Sequence, residues 1–226
     1  MLQTLLIVTG DLEENCYLLW KHSPSDSSPK PQASSLNAIV FDPGDEAPRI
    51  DSELKARHLC SAAFILTHCH GDHIAALSPM KAIYPGAPLY VPEAEKEWLK
   101  RPTLNLSYFY GISVTGPEPD HLVKDGQVIN VADITLRAIH VPGHSPGGTA
   151  YFVEQNGAPP HLFCGDILFA GGIGRTDLPG GDGENVLIMG IQNKLFTLPD
   201  NTIVHPGHGP ETTIGYEKEN NPFCGM

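Results

Sequence analysis

Apolar residues in this chain fall into short runs punctuated by Gly, Pro, Asp and Asn, the pattern of strands joined by tight turns. Residues 2–8, 16–20 and 37–41 read as strands. Ala62-Ala63-Phe64-Ile65-Leu66 is unbroken by any polar residue, as a strand buried on both faces requires. Further strands are expected near 88–91, 127–131, 134–140, 148–153, 161–164 and 202–204. Helices are expected near 46–58, 72–83, 92–100, 184–196 and 210–219. Segment 22–35 is rich in Ser and Pro and reads as a mobile surface loop. Segment 101–120, with Pro102, Pro117 and Pro119, reads as a long loop over one edge. This mixture predicts an α/β fold of packed layers. No repeat or linker divides the chain, so residues 1–226 are expected to form one domain.

Composition narrows the picture. A chain of 226 residues can bury one sizeable core, and 23 Gly with 21 Pro make it loop-rich. Against 14 basic residues stand 26 acidic ones, a net charge of −12, and no Lys/Arg run occurs. That argues against a nucleic-acid partner. Five cysteines, at positions 16, 60, 69, 164 and 224, show no CxxC spacing and fit a reducing compartment. The N-terminus lacks the basic segment of a signal peptide, and no apolar run approaches the ~20 residues of a membrane span. A cytoplasmic protein without a membrane partner is expected.

Eleven histidines would mean little if scattered, but three fall within Thr67-His68-Cys69-His70-Gly71-Asp72-His73 at the tip of the buried strand. If that segment stays extended, residues 68, 70 and 72 share one side. Gly71 would let the chain turn so that His73 reaches the same pocket. Imidazole with carboxylate suits zinc, iron or manganese. His144, Asp166 and His208 each stand just beyond a short apolar run, flanked by Gly or Pro. Loops anchored on a rigid scaffold commonly carry functional groups in this way.

The cluster at 68–73 matches the HxHxDH motif, and with the later His, Asp and His the chain resembles the metallo-β-lactamase superfamily over nearly its whole length. The resemblance implies an αββα sandwich, two mixed sheets face to face with helices outside. It implies two divalent metal ions, zinc first and iron or manganese as alternatives. His68, His70 and His144 would hold one, Asp72, His73 and His208 the other, and Asp166 would bridge them. Gly165-Asp166-Ile167-Leu168-Phe169, Gly174-Arg175-Thr176-Asp177 and Pro206-Gly207-His208-Gly209-Pro210 look like short glyoxalase II-type proteins without a C-terminal helical domain. Such proteins are metal-dependent thioesterases (hydroxyacylglutathione hydrolases). The implied activity is cleavage of thioesters such as S-lactoylglutathione by hydroxide generated at the metals, with Asp72 orienting the attack. The implied partner is a small anionic thioester, met by Arg175.

Other readings carry less weight. Gly143-His144-Ser145-Pro146-Gly147 fits the G-x-S-x-G elbow of serine hydrolases, but Pro146 lacks the N–H that the oxyanion hole needs. Ser145 is read as a turn residue. Cys69 and Cys164 are read as buried, inert thiols. His140 and His205 are read as supporting residues, and 171–174 as a substrate-side loop. Asn105-Leu106-Ser107 is a formal glycosylation sequon. The serious rival is a persulfide dioxygenase with a single iron on the same scaffold.

Overall fold

The computed structural model describes residues 1–22 and 36–226. The Ser/Pro-rich loop expected at 22–35 therefore lies, from residue 23 on, outside the described residues.

The first sheet holds β1 (Leu2–Thr9), β2 (Glu14–Lys21), β3 (Leu36–Phe41), β4 (Leu59–Ile65), β5 (Leu89–Pro92) and β6 (His121–Val123), in that spatial order. Its first pairings are antiparallel, and those from β3 to β6 are parallel. The second sheet runs β14 (Thr212–Thr213), β13 (Ile203–Pro206), β10 (His161–Gly165), β9 (Thr149–Val153), β8 (Ile134–His140), β7 (Val128–Val131). It too is mixed, with β10 and β13 parallel. A small hairpin pairs β11 (Leu168–Phe169) with β12 (Gly172–Ile173).

Alternation along each strand builds three apolar layers. Leu19, Phe41, Ile65, Tyr151 and Phe163 face inward and fill the space between the sheets. There the rings of Phe41 and Phe163 stack 4.2 Å apart. Their neighbours Leu18, Val40 and Phe64 face outward, against Ile50 and Leu54 of α1 (Ala47–Ala56) and Leu77 and Met80 of α3 (Leu77–Ile83). On the other side, Phe152 and Leu162 pack with Leu187 and Ile191 of α4 (Glu184–Lys194) and Ile214 of α5 (Ile214–Asn220). Strands covered on both faces explain the unbroken apolar runs. The expected αββα sandwich is the fold observed. Among the described residues no helix is long and apolar enough to cross a membrane.

Several boundaries differ from expectation. The helix expected at 72–83 is two, α2 (Gly71–Ile74) and α3, because the Ala76 N–H donates to Pro43 and Gly44 carbonyls. Segment 93–100 is a 3₁₀ rather than an α-helix. α5 starts late because Thr212 and Thr213 pair with β13, and Thr213 then caps the helix through Tyr216 N. The short β6 was not anticipated, since Leu122-Val123 is too brief to show a period.

Candidate metal centre

The residues at issue leave the C-terminal ends of strands or the turns just beyond them, so one rim of the sandwich carries them all. Asp42 follows β3, His68 follows β4, His144 follows β8, Asp166 follows β10 and His208 follows β13. The stretch 68–73 is extended only as far as His70 (φ −66°, ψ 152°), which opens α2. His68 and His70 therefore share a side, and Cys69 joins the apolar layer beneath. Asp72 does not continue that alternation as expected; it enters from α2 together with His73. The chain does turn at Gly71, the first residue of α2, and His73 reaches the same pocket. Gly71 must also be small, because a Cβ there would lie 2.8 Å from that of Ser107.

Among the described residues three groups of donors have ligand atoms within 4.8 Å of one another: His68, His70 and His144; Asp72, His73 and His208; and the wholly buried Asp42, His68 and His73, which the Asp42 hydrogen bonds draw together. In the first, His70 Nδ1 lies 3.1 Å from His68 Nε2 and 2.9 Å from His144 Nε2. The rings stand nearly perpendicular, with interplanar angles of 84°, 81° and 80°. In the second, Asp72 Oδ2 lies 3.3 Å from His208 Nε2 and 3.8 Å from His73 Nε2. Asp166 faces both groups. Its Oδ1 is 3.5 Å from His73 Nε2, and its Oδ2 is 3.5 Å from His144 Nε2 and 3.7 Å from His208 Nε2. Gly207 permits this approach, since a Cβ there would overlap Asp166 Oδ1 at 2.2 Å.

Supporting hydrogen bonds set the tautomers. His144 Nδ1–H donates to the Arg175 carbonyl at 2.7 Å and His73 Nδ1–H to Asp42 Oδ2 at 3.1 Å. His68 Nδ1 meets Thr67 Oγ1 at 3.1 Å, and that hydroxyl donates to Asp42 Oδ2 at 2.6 Å. In the neutral ring each arrangement leaves Nε2 with a lone pair turned toward the other donors, as in metal-binding histidines. His73 Nε2 and Asp166 Oδ1 are buried with no hydrogen-bond partner among the described residues. Buried polar atoms are otherwise nearly always paired. Imidazole and carboxylate lone pairs converging without donors between them fit divalent cations in both groups.

The electrostatics of the two groups differ in sign. Burial, then crowding by other imidazoles, pushes His68 well below the ordinary histidine range and His70 down to about 3. Burial also works against charge on His73 and His208, but the Asp72 and Asp166 carboxylates outweigh it and raise both. Conversely, burial alone would raise Asp72 and Asp166, while the facing imidazoles hold them below the usual carboxylate range.

Sequence reasoning missed three supports. Asp42-Pro43-Gly44-Asp45 reads from the sequence only as a turn, but Asp42 also accepts the Thr67 N–H at 2.7 Å and adopts a left-handed φ of 43°. Such strain persists where the surroundings over-determine it. The signal was present, because Asp42 follows an apolar run and stands beside a turn-forming residue, Pro43, as Asp166 stands beside Gly165. Glu95 is fully buried and accepts the N–H of Cys69 at 2.5 Å and of Gly147 at 2.7 Å. It ties the loop of His68 and His70 to that of His144. Glu14, also buried, accepts from Thr9 at 2.7 Å and lies 3.7 Å from His73 Nδ1. Burial raises its pKa well above the usual range.

The remaining residues fall into place around this centre. Arg175 lines an open cleft of about 250 Å³ with His70, Asp72, His144, Asp166 and His208. Its side chain is exposed and makes two 2.9 Å bonds to Asp177. Phe169, from the β11–β12 hairpin, lines the same cleft. Ser145 is buried beside the Glu95 carboxylate. Burial raises the Cys69 thiol far above its usual range and pushes Cys164 up to about 12, so neither forms a thiolate at neutral pH. His140 bonds the Pro146 carbonyl, and His205 links His161 to Glu211. Asn105 is wholly buried, its amide donating to the Trp98 and Val114 carbonyls, so the sequon offers no acceptor site.

Residues 10–208 match the metallo-beta-lactamase superfamily. Over 215 residues the chain is 42% identical to a probable metallo-hydrolase of Bacillus subtilis, covering 95% of this chain and 93% of that one. It is 32% identical over 220 residues to a hydroxyacylglutathione hydrolase of Haemophilus influenzae, covering 96% of each. The crystal structure of the B3 metallo-beta-lactamase BLEG-1 aligns with a TM-score of 0.87 at 37% identity, covering 98% of this chain and 99% of that one. With 10–208 spanning every donor described above, the chain belongs to the metallo-beta-lactamase superfamily.

Proposed function

We propose that this protein is a metal-dependent hydrolase that cleaves thioesters, with S-lactoylglutathione as the reference substrate. The reading is carried by Asp166, which faces two complete donor groups at the floor of an open cleft. A single-metal site would need neither the second group nor a residue between them. His68, His70 and His144 would hold one ion, Asp72, His73 and His208 the other, and Asp166 would touch both. Zinc suits this donor set, with iron or manganese as alternatives.

Divalent ions, when bound, supply hydroxide at neutral pH and polarise a carbonyl, because coordination brings the pKa of water from about 15.7 to about 7. The chain's own residues prepare for this. His68 and His70 offer lone pairs without first losing a proton. Asp72, ionised and partly open to the cleft, is placed to orient an attacking water by hydrogen bonding. A thiolate leaves without a proton donor, which suits a cleft whose lining, among the described residues, holds no carboxylic acid beyond the ligand candidates Asp72 and Asp166.

The likeness to the hydroxyacylglutathione hydrolase supports the thioester reading. The likeness to BLEG-1 favours lactam hydrolysis as a second one, although a leaving lactam nitrogen needs a proton as its bond breaks. One metal-loaded sample separates the readings through metal content, thiol release from S-lactoylglutathione, opening of a chromogenic β-lactam, and oxygen uptake with glutathione persulfide. About two ions per chain and thiol release without oxygen uptake are expected. A ceiling of one iron with oxygen uptake overturns the proposal in favour of a dioxygenase. Lactam opening without thiol release replaces it with the second reading.

A further inference from the structure

We infer that the metal cleft continues into a second subsite, walled by Leu12, Tyr110 and Ile112, that takes an apolar, non-anionic part of the substrate. This rests on the thioesterase reading and narrows it. A groove of about 370 Å³ lies beside the metal cleft, within the size range of small-ligand sites. Leu12, Asp72 and Tyr110 line both spaces. A substrate held at the metals therefore has a path past Asp72 into the groove.

The wall is apolar and open to water. Leu12 is 45% exposed, Tyr110 56% and Ile112 53%. Scattered exposed apolar residues need no explanation, but a cluster beside a reactive centre is a binding surface in waiting. The wall is also held in place from below. Ser107 donates to Asn105 Oδ1 at 2.7 Å and accepts from Val114 N at 3.1 Å, and the Asn105 carbonyl accepts Gly71 N–H at 2.7 Å. The base of the loop is thus bonded to α2, the helix that carries Asp72 and His73, while its tip presents Tyr110 and Ile112. A preformed wall loses little freedom on binding.

Charge decides which half of a thioester belongs there. Among the described residues the groove lining contains Asp11, Asp45 and Asp72 and no Lys, Arg or His. Among them too, Arg175 is the only Lys or Arg lining the metal cleft, and it is already bonded twice to Asp177. Apart from the donor groups at the metals, the described lining offers no free cation to the two carboxylates of glutathione. An aromatic or branched apolar group meets Leu12, Tyr110 and Ile112 without that mismatch.

Two matched substrate pairs test the inference on the metal-loaded full chain. The first carries lactoyl on benzyl mercaptan or on glutathione; the second carries phenylacetyl or lactoyl on N-acetylcysteamine, so the pairs also show which half occupies the groove. The aromatic member of at least one pair is expected to lead in kcat/KM by about tenfold, mainly through KM. Tyr110→Ala with Ile112→Ala should bring that ratio to within about twofold of unity. Asp11→Lys should improve the standing of the glutathione ester about threefold at low salt, and the gain should fade as salt rises. These positions are exposed, and melting curves check that the variants fold. Calorimetry with benzyl mercaptan and glutathione reads the groove without turnover, and tighter benzyl binding that the double variant loses is expected. Turnover without an aromatic preference, or with one that survives the double variant, overturns the subsite and leaves the hydrolase standing. No turnover of any thioester, with the benzyl preference in binding intact, overturns the hydrolase and leaves the subsite.

Discussion

The two halves of the metal centre share a floor but have opposite protonation habits. His68, His70 and His144 are three imidazoles nearly sealed from water, and His68 and His70 shed their protons far below neutrality. Asp72, His73 and His208 mix a carboxylate with imidazoles, are open to the cleft at Asp72 and His208, and hold protons on His73 and His208 to higher pH. Both halves draw on one six-residue stretch. The chain stays extended through His70 and coils from Gly71, and that switch assigns residues 68 and 70 to one half and 72 and 73 to the other. The change of backbone hands the Asp72 carboxylate to the second half, and that carboxylate together with Asp166 sets its environment apart.

The largest expected effect comes from removing what the halves share. Asp166→Ala should lower kcat/KM by about a thousandfold or more, since several kcal/mol of stabilisation at the metals would be lost. Metal analysis should show both halves depleted. Depletion of one half alone would mean that Asp166 serves only that half.

Acid should then separate the halves. A ligand must be deprotonated, so an ion entering the second half displaces protons from His73 and His208, whose pKa values are raised. Its affinity should fall by up to about tenfold per pH unit for each proton displaced. His68 and His70 carry no proton to displace until far lower pH, with His70 at about 3. Dialysis at about pH 5.5 should therefore leave about one ion, held by the first half. Parallel loss of both ions would erase the contrast.

Supports should act on one half or on both according to their reach. Asp42 bonds His73 directly and reaches His68 through Thr67, so Asp42→Asn should weaken both sites by roughly 10–100-fold. Glu95 touches only the loops of His68, His70 and His144, so Glu95→Gln should weaken the first site about tenfold and spare the second. Calorimetric metal titration of folded variants measures both. Equal losses at the two sites for Glu95→Gln would show it to be general scaffolding. The smallest effect is expected at Ser145, where alanine should keep activity within about threefold and stability within about 1 kcal/mol. A loss as large as that of His144→Ala would restore Ser145 as a nucleophile.

Much of this arrangement could be read in advance, for a physical reason. Strands covered on both faces leave continuous apolar runs, and the ligand candidates stand where those runs stop. All seven are brought together on one rim, although the alternation argument held only for His68 and His70 and failed for Asp72, which sits on a helix. Asp42 carried the same mark as Asp166 but was absorbed into a turn. Glu95 carried none, being one of three Glu in a charged segment, Glu93-Ala94-Glu95-Lys96-Glu97.

The sequence by itself thus determined the layers, the family resemblance and the residue types that meet at the metals. These follow from local periodicity and from side-chain chemistry, which each segment displays alone. Only the tertiary structure decided that Asp72 enters from a helix, which carboxylates steady the donors and which residues wall the cleft and the groove beside it. Those depend on contacts between residues far apart in the chain, such as Thr67 with Asp42, 25 positions away, and Gly147 with Glu95, 52 positions away. A hydrogen bond across such a distance forms only when two strand ends or loops are packed side by side, and it imposes no period on either segment.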